Sequence, residues 1–166
     1  MRCCLRCNEI IRNSARRRLG LSNNVVVGHV GRFEPQKNHE RLLHIFSAVY
    51  GMKKSARLLL VGKGTLSDTI HKLAHEMQIE QAIIFAGEQD DVSAWYQAMD
   101  VFVMPSIFEG VPLASIEAQT AGLPCVLSCA IPRDAGFGKY VSFIHQCERI
   151  VLTDRENIMP PQEPME

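Results

Sequence analysis

The sequence predicts an α/β fold, a Rossmann-like doubly wound parallel sheet of about six strands with helices on both faces. Three observations carry this. Short apolar runs rich in Val, Ile and Leu alternate with amphipathic stretches from residue 25 to residue 144. The runs show no polar-apolar alternation, as expected of strands covered on both faces. Glycine-led polar loops follow the runs, so they fall at the carboxyl ends of the strands, where open α/β sheets bind ligands.

Each element has its own signal. Residues 8–19 carry Ile10, Ile11 and Leu19 among Arg12, Arg16, Arg17 and Arg18. They read as a short amphipathic helix with a solvated basic face; contact with acidic lipid headgroups is the alternative. Residues 25–30 form the first strand. Asn38 caps a helix through Tyr50, with Leu42, Leu43, Ile45, Phe46 and Val49 on its apolar stripe. Residues 57–61 form the second strand, and Gly62-Lys63-Gly64 turns into a helix from about Thr65 to Met77. Residues 82–86 form the third strand. Asp90 or Asp91 opens a short helix containing Trp95 and Met99. Residues 100–104 form the fourth strand, and Pro112 opens a helix over residues 112–121. Residues 124–127 and 141–144 supply the fifth and sixth strands. Residues 146–166, with Pro160, Pro161 and Pro164 and no periodicity, read as a poorly structured tail.

Composition bounds the function. The chain has 166 residues, 46% of them hydrophobic, which suits one domain with an ordinary core. Eighteen basic and 18 acidic residues cancel, which argues against bulk attraction to nucleic acid. No apolar run is long enough to cross a membrane, and no apolar signal core follows the basic N-terminus. The six cysteines are irregularly spaced and suggest a reducing, cytoplasmic compartment. Cys4 and Cys7 form a C-x-x-C, but the second pair, Cys125 and Cys129, has looser spacing, so a zinc site is not the expectation.

The residues with chemistry stand at strand ends. The first strand runs into Gly31-Arg32-Phe33-Glu34-Pro35-Gln36-Lys37-Asn38, where two cations on one glycine-led loop can neutralise a diphosphate. The second runs into Gly62-Lys63-Gly64 and the third into Gly87-Glu88-Gln89-Asp90-Asp91. The fourth runs into a loop and helix that hold Glu109 and Glu117, eight positions apart, with Gly110 at the joint. Amides at a helix start can meet a phosphate, and two carboxylates can accept hydrogen bonds from hydroxyls. Singly these features have plain readings: Arg32 and Lys37 as surface charges, Asp90 and Asp91 as helix caps, Glu117 as a surface helix residue, His29 as a buried structural histidine. Gly62-Lys63-Gly64 is a truncated dinucleotide fingerprint, since Ser67 stands where a small Gly or Ala belongs.

In combination the chain resembles the nucleotide-sugar-binding, C-terminal half of retaining GT-B glycosyltransferases of the group 1 type, in particular bacterial capsule and exopolysaccharide enzymes. The resemblance covers roughly residues 8–145 and fades after Pro132. It rests on Gly28-His29-Val30-Gly31-Arg32-Phe33 with Gln36-Lys37-Asn38-His39, on Leu59-Leu60-Val61-Gly62-Lys63-Gly64, and on Asp91-Val92 through Tyr96 to Ser106. The most specific block is an E-x7-E motif running from Phe108-Glu109-Gly110-Val111-Pro112-Leu113 through Glu117-Ala118 to Gly122-Leu123-Pro124. The resemblance implies that Arg32 and Lys37 grip a diphosphate and that Glu109 binds hydroxyls of the transferred sugar. It further implies that backbone amides from Gly110 through Val111 and Pro112 to Leu113 hold the distal phosphate. Glu117 would take the ribose hydroxyls, and Gly31, Gly62 and Gly87 would line the nucleotide. It implies a UDP-sugar as substrate, no cofactor, no metal, and a sugar or lipid-linked acceptor.

The family's enzymes are about twice this length. The expectation is therefore a nucleotide-sugar-binding domain over residues 1–145 without the acceptor-binding domain, poorly active by itself, cytoplasmic and associated at most peripherally with a membrane. Two other readings stand beside it: a non-catalytic half that completes a site with a partner chain, and a dinucleotide-dependent oxidoreductase suggested by Gly62-Lys63-Gly64 with Glu88 as the ribose acid.

Overall fold

The computed structural model describes residues 9–145. Five α-helices and six strands follow in the order α1 (Glu9–Arg18), β1 (Val25–Val30), α2 (His39–Met52), β2 (Ala56–Val61), α3 (Ser67–Glu76), β3 (Ile83–Gly87), α4 (Ser93–Ala98), β4 (Val101–Met104), α5 (Leu113–Thr120), β5 (Cys125–Ser128) and β6 (Val141–Ile144). The strands form one sheet in the order β3-β2-β1-β4-β5-β6, and every pairing is parallel. The expected fold class, strand number and element order hold. Cys3, Cys4, Cys7 and the 146–166 tail lie outside the described residues.

Side-chain parity builds the two faces. Val27, Leu58 and Leu60 point to one side, onto Leu42, Leu43 and Phe46 of α2. Val26, Leu59 and Val61 point to the other, toward Tyr96, Met99, Phe102 and Ala118. Successive strand residues face opposite ways, so a run that must be apolar on both faces is continuous in sequence. Gly28 lies beneath Met99: a Cβ there would stand 2.1 Å from the Met99 sulfur. Cys125 is buried in β5, which pushes its thiol up to about 12.

The basic face of α1 departs from the sequence reading. Arg16 is 3% exposed. Its guanidinium donates to the carbonyls of Ala98 and Leu21 (2.9 and 2.8 Å) and to that of Asn24, and it pairs with Asp100 at 3.1 Å. Arg12 donates to the carbonyls of Gln97 and Met99 and pairs with Asp100. Asp100 also accepts the Val26 amide at 2.8 Å. These carbonyls belong to the end of α4 and to the turns before β1 and β4, where regular structure leaves acceptors unused. Two of the arginines are therefore interior fasteners at the amino ends of β1 and β4; Arg17 and Arg18 remain exposed.

Candidate functional site

The strand order reverses between β1 and β4, so their carboxyl ends flank a crevice of the kind that binds ligands in open α/β sheets. The two strands pair directly, Val27 with Val101 and Gly28 with Phe102, and the loops that leave them run side by side. Three contacts fasten the loops: the Ile107 amide to the Gln36 carbonyl at 2.8 Å, the Gln36 side-chain amide to the Phe108 carbonyl at 3.0 Å, and Lys37 Nζ to Glu109 Oε1 at 2.7 Å. The Lys37 and Glu109 side chains are 17% and 6% exposed. Shielding of this degree makes their attraction far stronger than in open water. Arg32 is exposed at the same corner and makes no ion pair among the described residues. Glu34, beside it, is drawn instead to Thr65, whose amide and hydroxyl donate to the carboxylate and hold it below the usual range.

Two buried histidines lie under this corner. His29 on β1 makes a 2.8 Å hydrogen bond through Nδ1 to the Val103 carbonyl, and its ring meets that of His39, the first residue of α2, edge-on at 4.9 Å. Burial is the main cause that lowers His29 to about 4 and His39 to about 2; Lys37 pushes both in the same direction. At neutral pH neither ring carries charge. His29 Nε2, both His39 nitrogens and Ser106 Oγ find no hydrogen-bond partner among the described residues.

The glycines after β2 serve packing. A Cβ on Gly62, whose φ is +131°, would stand 2.1 Å from the Gly31 carbonyl oxygen, and one on Gly64 would stand 2.5 Å from that of Phe33. The Phe33 amide donates to the Lys63 carbonyl at 3.0 Å, and the Gly62 amide to the Gly87 carbonyl at 2.8 Å. The loops after β1, β2 and β3 are thus laced together. Gly62-Lys63-Gly64 follows β2, one strand away from the reversal, and Ser67 Oγ closes back on Gly64; a dinucleotide fingerprint belongs to the first strand-helix turn. Glu88, the acid that reading required, pairs with Lys63 at 2.5 Å. Gly87 has φ +67° and open space at its Cβ position.

Beyond Glu109, Gly110 is exposed, with nothing within 4 Å of its Cβ position. Only part of the expected row of amides exists. Pro112 has no N–H, and the Leu113 amide donates to the Val111 carbonyl at 2.9 Å. Gly110 and Val111 are left as the donors at this joint. Glu117, on α5, is not joined to the Lys37–Glu109 pair but is held from α4: the Tyr96 hydroxyl donates to Glu117 Oε2 at 2.9 Å and contacts the Ala114 carbonyl at 3.1 Å. Burial, followed by the Glu117 carboxylate, raises the Tyr96 hydroxyl well above its ordinary value. Asp91 accepts the Ser93 amide at the start of α4, close to the expected cap. Among the described residues no group of three or more His, Cys, Asp and Glu is placed to hold a metal. No described helix is long and apolar enough to cross a membrane.

Sequence reasoning quoted Gln36 and Tyr96 within the family motifs but gave neither a role. Gln36 stands in a family motif but received no role, because its partner lies 72 residues away. Tyr96 offers a signal: a tyrosine on the apolar stripe of a short helix needs an acceptor for its hydroxyl.

Residues 11–133 match the sequence profile of the family described as glycosyl transferases group 1. The chain belongs to that family. EpsF of Bacillus subtilis is 35% identical over 119 residues, which cover 70% of this chain and 31% of EpsF. The UDP-Gal:alpha-D-GlcNAc-diphosphoundecaprenol alpha-1,3-galactosyltransferase of Escherichia coli is 37% identical over 116 residues, which cover 66% of this chain and 30% of that enzyme. Among solved structures, Anabaena Alr3699/HepE in complex with UDP and glucose superposes with a TM-score of 0.75 at 21% identity, over 85% of this chain and 40% of that one. The group 1 chain thus spans about a third of the length of these curated relatives, and its sheet is the Rossmann-like sheet of a GT-B glycosyltransferase.

Proposed function

We propose that this chain binds a nucleotide diphosphate sugar, with UDP as the nucleotide, and contributes the sugar-donor half of a retaining, metal-independent hexosyl transfer in polysaccharide or glycoconjugate synthesis. The observation that carries this reading is the meeting of Lys37 and Glu109 at the β1/β4 reversal, a cation and an acid on adjoining loops beside an exposed Arg32 and two open amides. Sugar transfer expels a nucleotide diphosphate that gains charge as the glycosidic bond breaks. Arg32, Lys37 and the Gly110 and Val111 amides are suited to stabilise that charge, which is why no metal is invoked; each such contact contributes up to a few kcal/mol where water is excluded. Glu109 takes hydroxyls of the sugar, Glu117 those of the ribose, and the loops at Gly62 and Gly87 flank the base.

UDP is the nucleotide of the E. coli relative and of the Anabaena complex, and the diphosphoundecaprenol acceptor of the former supports a lipid-linked acceptor here. A second reading has a specific support. Phe108, Val111 and Leu113 are 61%, 70% and 65% exposed around Glu109, an apolar rim suited to a partner chain that completes the site. Calorimetric titration with UDP-glucose and with NADH, each with and without EDTA, tests the assignment. Heat with UDP-glucose alone, unchanged by the chelator, is expected. No heat with UDP-glucose overturns the reading, and loss of heat on chelation overturns its metal independence.

A further inference from the structure

In the structure two of the residues assigned to the sugar nucleotide, Lys37 and Glu109, are already satisfied by each other. Lys37 Nζ lies 2.7 Å from Glu109 Oε1, both side chains are largely shielded, and the loops that carry them are held together by two further hydrogen bonds. Arg32, the other cation of the corner, stays exposed and outside the pair. We propose that the Lys37–Glu109 ion pair is a latch that lets the site discriminate between an intact nucleotide sugar and the nucleotide diphosphate left after transfer. This inference rests on the sugar-nucleotide reading above and adds a selectivity that the reading does not contain.

The physical argument concerns what each ligand leaves behind. A diphosphate that recruits Lys37 must draw it from Glu109. Glu109 is 6% exposed, so the abandoned carboxylate has little water to turn to, and leaving one partner of a shielded pair alone is strongly unfavourable. A nucleotide sugar brings two things to the corner: phosphate oxygens for Lys37 and hydroxyl donors for Glu109. Both groups exchange one partner for another and neither is stranded. The bare diphosphate therefore meets a penalty that the intact sugar nucleotide escapes. Arg32 can attract either ligand at first encounter, because its own charge is not committed to a carboxylate.

The experiment compares UDP with UDP-glucose by calorimetry on the wild-type chain and on E109Q, K37M and the double variant, with thermal unfolding confirming that each is folded. On the wild type, UDP-glucose binds at least about tenfold more tightly than UDP, in line with the cost of an unpaired shielded charge. E109Q frees Lys37, so its affinity for UDP rises several-fold while its preference for UDP-glucose shrinks. In the K37M background the same Glu-to-Gln change no longer raises UDP affinity, because nothing remains to be released; coupling between contacting groups is read this way. Equal affinity of the wild type for the two ligands overturns the latch without any variant. A gain from E109Q that persists in K37M also overturns it, since simple repulsion between Glu109 and phosphate would then account for the effect. If the wild type gives heat with neither ligand, the sugar-nucleotide reading itself fails and the latch falls with it; if it binds both and only the variant pattern is missing, the latch alone fails.

Discussion

The hydroxyl of Tyr96 on α4 donates to Oε2 of Glu117 on α5 at 2.9 Å, tying the second acid of the E-x7-E motif to a helix that precedes it by one strand. The phenol is buried and the carboxylate sits on the exposed side of α5. The contact holds one rotamer of a side chain that water would otherwise let swing. Replacing Tyr96 by Phe removes the donor and keeps the ring. The expected result is a loss of about 1 kcal/mol in stability and a smaller difference in affinity between UDP and 2′-deoxy-UDP than in the wild type. An undiminished difference in Y96F would show that Glu117 needs no help from Tyr96.

Arg32 and Lys37 differ in accessibility, and their variants should differ accordingly. R32A removes an exposed cation and is expected to weaken UDP far more than uridine and to flatten the salt dependence of UDP binding, with no change in the unfolding temperature. K37A strands Glu109 and is expected to lower the unfolding temperature as well. Titrations of UDP and uridine at two salt concentrations check the first, and thermal unfolding checks the second. Unchanged UDP affinity in both variants would return these residues to the status of surface charges.

The buried histidines predict the acid limb of stability. His29 and His39 are lowered in the folded state to about 4 and about 2, whereas in an unfolded chain each titrates near 6.5. The unfolded state therefore binds more protons below about pH 6.5, and stability falls as pH drops from there toward the folded values. By pH 5 each histidine removes on the order of 2 kcal/mol. His39 has no hydrogen-bond partner on either nitrogen among the described residues, so H39L is expected to fold, to match or exceed the wild type at pH 7, and to lose less stability at pH 5. Urea midpoints at pH 7.5, 6 and 5 decide this; parallel curves for the two proteins would exclude His39 as a source.

Arg16 joins α1 to the amino ends of β1 and β4 through three carbonyls and Asp100. R16M fits the hydrocarbon stem but leaves the carbonyls without a donor and Asp100 with one partner fewer. A loss of about 3 kcal/mol is expected, read from urea unfolding. If R16M is as stable as the wild type, the contacts of this buried arginine carry no net weight.

The fold was legible because it rests on local, repetitive signals. The runs at residues 25–30 and 57–61 show no polar-apolar alternation, as strands covered on two faces require, and Asn38 caps α2 through its own side chain, which accepts the Arg41 amide. The glycines were legible as loops but not as reasons: the constraint on Gly62 and Gly64 comes from Gly31 and Phe33 on another strand's loop. The inward turn of Arg12 and Arg16 on α1 was hidden for the same cause, while Arg17 and Arg18 are exposed as expected. A helical pattern shows which side of a helix is charged, but it does not show that unpaired carbonyls at the ends of α4 and at the turns before β1 and β4 are waiting on that side. Pro112 marked the helix start correctly, while the loss of its own N–H and the use of the Leu113 amide reduced the open donors to Gly110 and Val111.

By itself the sequence determined the alternation of strands and helices, and with it the rim on which Arg32, Lys37, Glu109 and Glu117 had to lie, because hydrophobic periodicity and strand-end loops are properties of neighbours in the chain. Only the tertiary structure decided that Lys37 and Glu109 are partners, that Glu117 answers to Tyr96, and that Arg16 is interior. Those are pairings across 72, 21 and 84 positions, and such distances are closed by the order of strands in the sheet, which no local pattern encodes.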